Sequence, residues 1–240
     1  MQNIVDKGKK YFICTVTGIF LLIEAVIYVA FLSLDIANSH SDYSTGMKFI
    51  GISLCLFYSI ICFLMKEDKN LENNIVTLAI TTTVIADVFL LLLNRHYTIG
   101  LLFFNITQVC YGIKIYLSRR KKGSLFFIIR FVTFLALIWI VGWRKVSIDL
   151  LVLLTGFYFV NLFYNVIGSC LQWKKNVLFA VGMLLFLCCD IQVGIFNISQ
   201  YISIEGELFK KLFAFSQIGM WLFYLPSQVL LTLSNRWSEK

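Results

Sequence analysis

Charge is what this 240-residue chain most lacks: only 14% of its residues are Asp, Glu, Lys or Arg, against about a quarter in soluble domains. Proline occurs once. Together with 59% hydrophobic residues, these shortages exclude an ordinary water-soluble globule. Histidine is nearly as scarce, and His40 and His96 both fall in loops with no ligand-like partner at helical spacing. Metal chemistry therefore has little to work with. The seven cysteines contain no C-x-x-C pair and lie in or beside apolar runs, so they read as small packing residues and not as a metal site. No linker is long enough to separate two domains.

What is present is a succession of apolar runs, each long enough to cross a bilayer as a helix. They predict an all-α polytopic membrane protein, one transmembrane domain over 1–240, with about eight helices in one bundle: 11–33, 45–65, 75–94, 98–117, 125–141, 148–171, 176–197 and 212–233. The lysine-rich start ahead of the first run resembles a signal peptide, but the run is too long and no A-x-A site follows it. The formal charge of +8 would suggest nucleic acid in a soluble protein, yet the cations alternate between loops. Lys7, Lys9, Lys10, Lys66, Lys69, Arg119, Arg120, Lys121, Lys122, Lys174, Lys175, Arg236 and Lys240 fall on one side. Arg95, Arg144, Lys145, Lys210 and Lys211 fall on the other. That asymmetry predicts cytoplasmic termini and no nucleic-acid partner.

The chemistry-bearing residues are acids inside these runs. Asp87 stands in IVTLAITTTVIADVFLLLLN and Asp190 in GMLLFLCCDIQVGIF; Glu24 lies in the first run. An acid at such depth is costly to insert and points to a site facing the protein interior. At 1.5 Å per residue the three sit roughly 18, 21 and 20 Å from the inner ends of their helices, so they can share a layer. Two carboxyl groups in one low-dielectric cavity do not ionise together, which supplies an acid and a base from one residue type. Lys48 and Arg130 read as snorkelling to headgroups from near helix ends, with a lipid phosphate as an alternative partner for Lys48. Asn161 and Asn165, four residues apart, read as interhelical glue, and Tyr158 as packing. A proton-coupled lipid or small-molecule carrier, a lipid-binding protein and a plain structural bundle are each compatible with these buried acids.

ADVFLLLLNRHYTIGLLFFNITQVCY, over 86–111, resembles a segment of the YhhN-like lysoplasmalogenase family of eight-helix membrane proteins. The family reads G-D-x-x-L, then G-x-x-x-F, then H-x-x-Y; Asp87, Leu90, Gly100, Phe104 and Tyr111 match. GMLLFLCCD is similar to the family's G-x-x-x-F-x-x-S-D through Gly182, Phe186 and Asp190, and YLPSQ to its Y-Y-x-A-Q through Tyr224 and Gln228. Lys48 and Tyr164 resemble a lysine and a tyrosine of the same family. Ala86, Gln108 and Cys189 depart from its glycine, histidine and serine. Glutamine cannot shuttle a proton, but it can position water or a headgroup.

The resemblance implies hydrolysis of the vinyl ether bond of a lysophospholipid in a bacterial plasma membrane, without cofactor or metal. Asp87 and Asp190 are then catalytic, and Lys48, Gln108, Tyr111, Tyr164, Tyr224 and Gln228 bind substrate. Glu24 is a possible additional acid that the resemblance does not supply. Membrane lipids and the lysophospholipid substrate are the expected partners.

Overall fold

A computed structural model describes residues 2–37, 42–65, 71–119, 123–143, 148–198 and 206–235. They form eight α-helices: α1 (Gln2–Ile36), α2 (Asp42–Met65), α3 (Leu71–Asp87), α4 (Tyr97–Arg119), α5 (Gly123–Trp143), α6 (Leu150–Cys170), α7 (Val177–Ile198) and α8 (Glu207–Ser234). The protein is an all-helical bundle, and among the described residues seven helices are long and apolar enough to cross a membrane. The exception is α8. Its interior face is polar, with Ser216, Tyr224, Ser227, Gln228, Thr232 and Ser234 all buried. The loop cations Lys66, Lys69, Arg120, Lys121, Lys122, Arg144, Lys145, Arg236 and Lys240 lie outside the described residues, as do the side chains of Lys7, Lys9, Lys10 and Arg119.

Helix starts follow local chemistry. Asp149 accepts from the Val152 amide at 2.8 Å, and Asn176 from the Phe179 amide at 3.0 Å, each satisfying an otherwise orphaned donor of the first turn. The third apolar run differs from the uninterrupted helix expected over 75–94. Its α-helix ends at Asp87 and continues as a π-helical turn, Val88–Leu92. Such turns are rare and gather at functional sites. Leu90 of this turn fills the space over Gly100, where a Cβ would meet its Cγ at 2.5 Å. That is the physical reason for the leucine–glycine pairing in the motif.

α8 packs against α1, α2, α3 and α7 and is the spine of the bundle, whereas α5 packs mainly on α6. Pro226 lies inside α8 and cannot donate to the carbonyl one turn back. Tyr28 of α1 supplies the missing donor, its hydroxyl reaching the Leu222 carbonyl at 2.9 Å. α7 and α8 approach closely at Gly182, where a Cβ would stand 2.9 Å from Leu231 Cγ and 3.1 Å from its backbone nitrogen. Gly182→Ala is therefore expected to cost about 1–3 kcal/mol by overpacking. Gly18→Ala, with nothing within 4 Å of its Cβ position, should lose nothing. Thermal unfolding of both variants in detergent checks the contrast.

Candidate active site

Each membrane-depth aspartate accepts a hydrogen bond from a tyrosine on another helix. Tyr224 of α8 donates to Asp87 Oδ2 at 2.7 Å, and Tyr158 of α6 donates to Asp190 Oδ2 at 2.5 Å. Four helices thus contribute one side chain each. Asp87 is buried, and Asp190 is the more open of the two. Both phenols stand around Phe104, with ring centroids 5.9 Å from Tyr158 and 6.5 Å from Tyr224. Phe186, one turn before Asp190, closes the arrangement at 6.2 Å from Phe104 and 5.8 Å from Tyr224. The Cys189 thiol lies within electrostatic reach of both carboxyl groups. The two acids therefore belong to one apolar-walled centre. Among the described residues no three His, Cys, Asp or Glu side chains gather in a metal-binding group.

A second polar layer adjoins it. Gln108 is fully buried; its side-chain and main-chain oxygens accept from Asn165 Nδ2 at 3.0 and 2.8 Å. Arg130 Nη1 donates to Asn161 Oδ1 at 3.0 Å, and Nη2 to Asn165 Oδ1 at 2.7 Å. The two asparagines do hold helices together, as their spacing implies. Arg130 does not snorkel. It is buried, stacked over Phe126 at 4.4 Å, because two amide oxygens of α6 take its guanidinium donors.

A family model described as the YhhN family matches residues 43–235. The chain belongs to the YhhN family. No curated protein and no solved structure matches it. For this YhhN-family chain the matched region holds both aspartates and both tyrosines that bind them. Tyr158 is the site residue that sequence reasoning missed. A lone phenol in an apolar helix looks like packing, yet it begins the polar face that Asn161 and Asn165 continue.

The remaining expected residues divide. Lys48 also does not snorkel: it pairs with Asp35 at 2.8 Å, and both are buried. Asp35 Oδ1 in addition accepts from Ser44 at 2.6 Å. Asp35 was expected in a loop, but α1 extends through Ile36 and carries it to the start of α2. Lys48 lies 4.8 Å over Trp221, whose ring meets Tyr224 at 5.4 Å; it reaches the centre through one aromatic ring. Gln228, one turn beyond Tyr224, is fully buried with Oε1 unpartnered. The Tyr111 hydroxyl is likewise buried and unpartnered, its ring edge-on to Phe179 at 5.7 Å. Tyr164 is directed elsewhere and shares a 2.8 Å hydrogen bond with Thr133 of α5. Glu24 is buried and accepts from Cys55 Sγ at 3.6 Å; no hydrogen bond or ion pair among the described residues joins it to either aspartate.

Removing one member of a buried ion pair strands the other. Asp35→Asn should destabilise the protein by about 3–5 kcal/mol. Asp35→Asn combined with Lys48→Met should recover most of that loss. Thermal unfolding of the two variants beside the parent measures both.

Proposed function

We propose that this chain is a membrane-embedded hydrolase that cleaves the vinyl ether bond of lysoplasmalogen-type lysophospholipids. The supporting observation is the convergence of two aspartate–tyrosine pairs on Phe104 and Cys189. Vinyl ether hydrolysis needs a proton delivered to carbon and a water activated against the resulting cation. Two carboxyl groups in one apolar centre suit those two tasks, as in glycosidases.

In the reaction a carboxylic acid protonates the β-carbon of the enol ether, and the C=C electron pair forms the new C–H bond. The positive charge left on the adjacent carbon is shared with the ether oxygen. The second carboxylate takes a proton from water as its oxygen bonds to that carbon. As the hemiacetal C–O bond to the glycerol breaks, the carboxyl group that took the water proton returns it to the glycerol oxygen. The other carboxylate takes the hemiacetal hydroxyl proton, giving a fatty aldehyde, a free glycerol hydroxyl and the starting acid and base. Asp190, the more open of the two, is assigned as the acid and Asp87 as the base. Each tyrosine holds one carboxyl oxygen, Oδ2, so proton transfer falls to Oδ1. The faces of Phe104 and Phe186 suit both the acyl chain and a developing cation.

Purified protein in detergent should release aldehyde from a lysoplasmalogen. Asp87→Asn and Asp190→Asn should each lose about 10²–10⁴ of the rate. Tyr158→Phe and Tyr224→Phe should lose about 10- to 100-fold, the worth of one hydrogen bond to a charged group. No aldehyde from the folded parent across headgroups and pH would overturn the reading.

A further inference from the structure

Arg130 is a buried cation for which the described residues supply no carboxylate; the hydrogen-bond acceptors of its guanidinium are the oxygens of Asn161 and Asn165. A side chain so costly at membrane depth calls for a role. Its chemistry sets a direction. Guanidinium donates and never accepts, so Asn165 must present its oxygen to Arg130. The Asn165 NH2 then faces away, where it donates to both oxygens of Gln108. Gln108 must in turn present Oε1 to Asn165 and point Nε2 the opposite way. Asn165 and Tyr158 lie two turns apart on one face of α6, and Gln108 reaches that face from α4. Nε2 is thereby aimed at the Tyr158 side of the centre, where the Gln108 side chain meets the Tyr158 hydroxyl. It is fully buried, makes no hydrogen bond of full geometry and has the Tyr158 hydroxyl as its neighbour, so its donor capacity is largely unspent. An amide left to itself could turn over; one anchored through Asn165 to a permanent cation cannot.

We propose that Arg130 is a positioning residue: acting through Asn165, it locks the Gln108 amide so that its NH2 serves as a substrate-binding donor to an oxygen of the bound lipid beside Asp190. This rests on reading the two acids as the reacting centre. Arg130 itself touches no part of the Asp190 pair, and its effect travels by the polarity of two amides.

The test is the orientation of the Gln108 amide, read by NMR in detergent with selectively labelled glutamine and tyrosine. The parent should show a nuclear Overhauser contact between the Gln108 NH2 and the Tyr158 ring. Asn165→Asp keeps a partner for Arg130 but can only accept, so it draws Nε2 round. The contact should vanish, and kcat/KM should fall about tenfold, the value of one hydrogen bond, with the unfolding midpoint retained. No contact in the parent, or an unchanged contact and unchanged kcat/KM in Asn165→Asp, would overturn the proposal. Should Asn165→Asp not fold, Arg130→Lys must keep the contact and Arg130→Met must lose it; equal contacts in the two would overturn it. A parent that releases no aldehyde defeats the hydrolase reading, while the amide contact still decides the direction of the relay.

Discussion

A carboxyl group inside an apolar helix bundle is costly unless it is hydrogen-bonded, and the bundle itself must supply the donor. The architecture of this YhhN-family protein follows from meeting that demand twice. Tyr224 and Tyr158 are the donors; Tyr224 comes from the last helix to meet Asp87 of α3, and Tyr158 from the helix just before that of Asp190. Bringing them there requires α3 against α8 and α6 against α7. Local adjustments sit at neighbouring contacts: Gly100 lies beneath Leu90 of the π-helical turn after Asp87, and Gly182 of α7 lies against Leu231 of α8. The polar face of α8 has the same origin. A spine that supplies Tyr224 and Gln228 to the interior cannot also be uniformly apolar.

The same demand extends outward to cations. Lys48 is satisfied by Asp35 and by the faces of Trp221 and Phe31. Arg130 is satisfied by two asparagine oxygens and the face of Phe126. Neither reaches for the headgroups. Each cation lies within two or three residues of the aspartate–tyrosine centre, Lys48 through Trp221 and Arg130 through Asn165 and Gln108. The centre is therefore flanked by one ion pair and one chain of hydrogen-bonded amides.

Much of this was legible in the sequence. A helix bundle follows from the length of the apolar runs and the scarcity of charge, and an acid isolated in such a run is visible at once, as Asp87 and Asp190 were. What a sequence does not carry is which side chain crosses to meet it. Tyr158 reads as one phenol among many because a hydrogen bond depends on helix rotation, which apolar periodicity hardly constrains when every face is apolar. Asp35 was hidden by a boundary: three residues of extra helix turn a loop acid into the partner of Lys48. Arg130 was misread for a related reason, since a long flexible side chain can reach either a headgroup or a neighbouring helix, and only packing decides. Tyr164 shows the converse. Its place in the chain fits the family pattern, yet its hydroxyl is turned to Thr133 and away from the acids.

The proposed hydrolysis requires a carboxylic acid of this centre to protonate carbon. Hydrolysis in heavy water tests it directly, with the fatty aldehyde trapped as it forms and analysed by mass spectrometry. An aldehyde carrying one deuterium on the carbon next to its carbonyl, the former β-carbon of the vinyl ether, is the predicted product. An aldehyde with no deuterium at that carbon would contradict proton delivery by the aspartate pair.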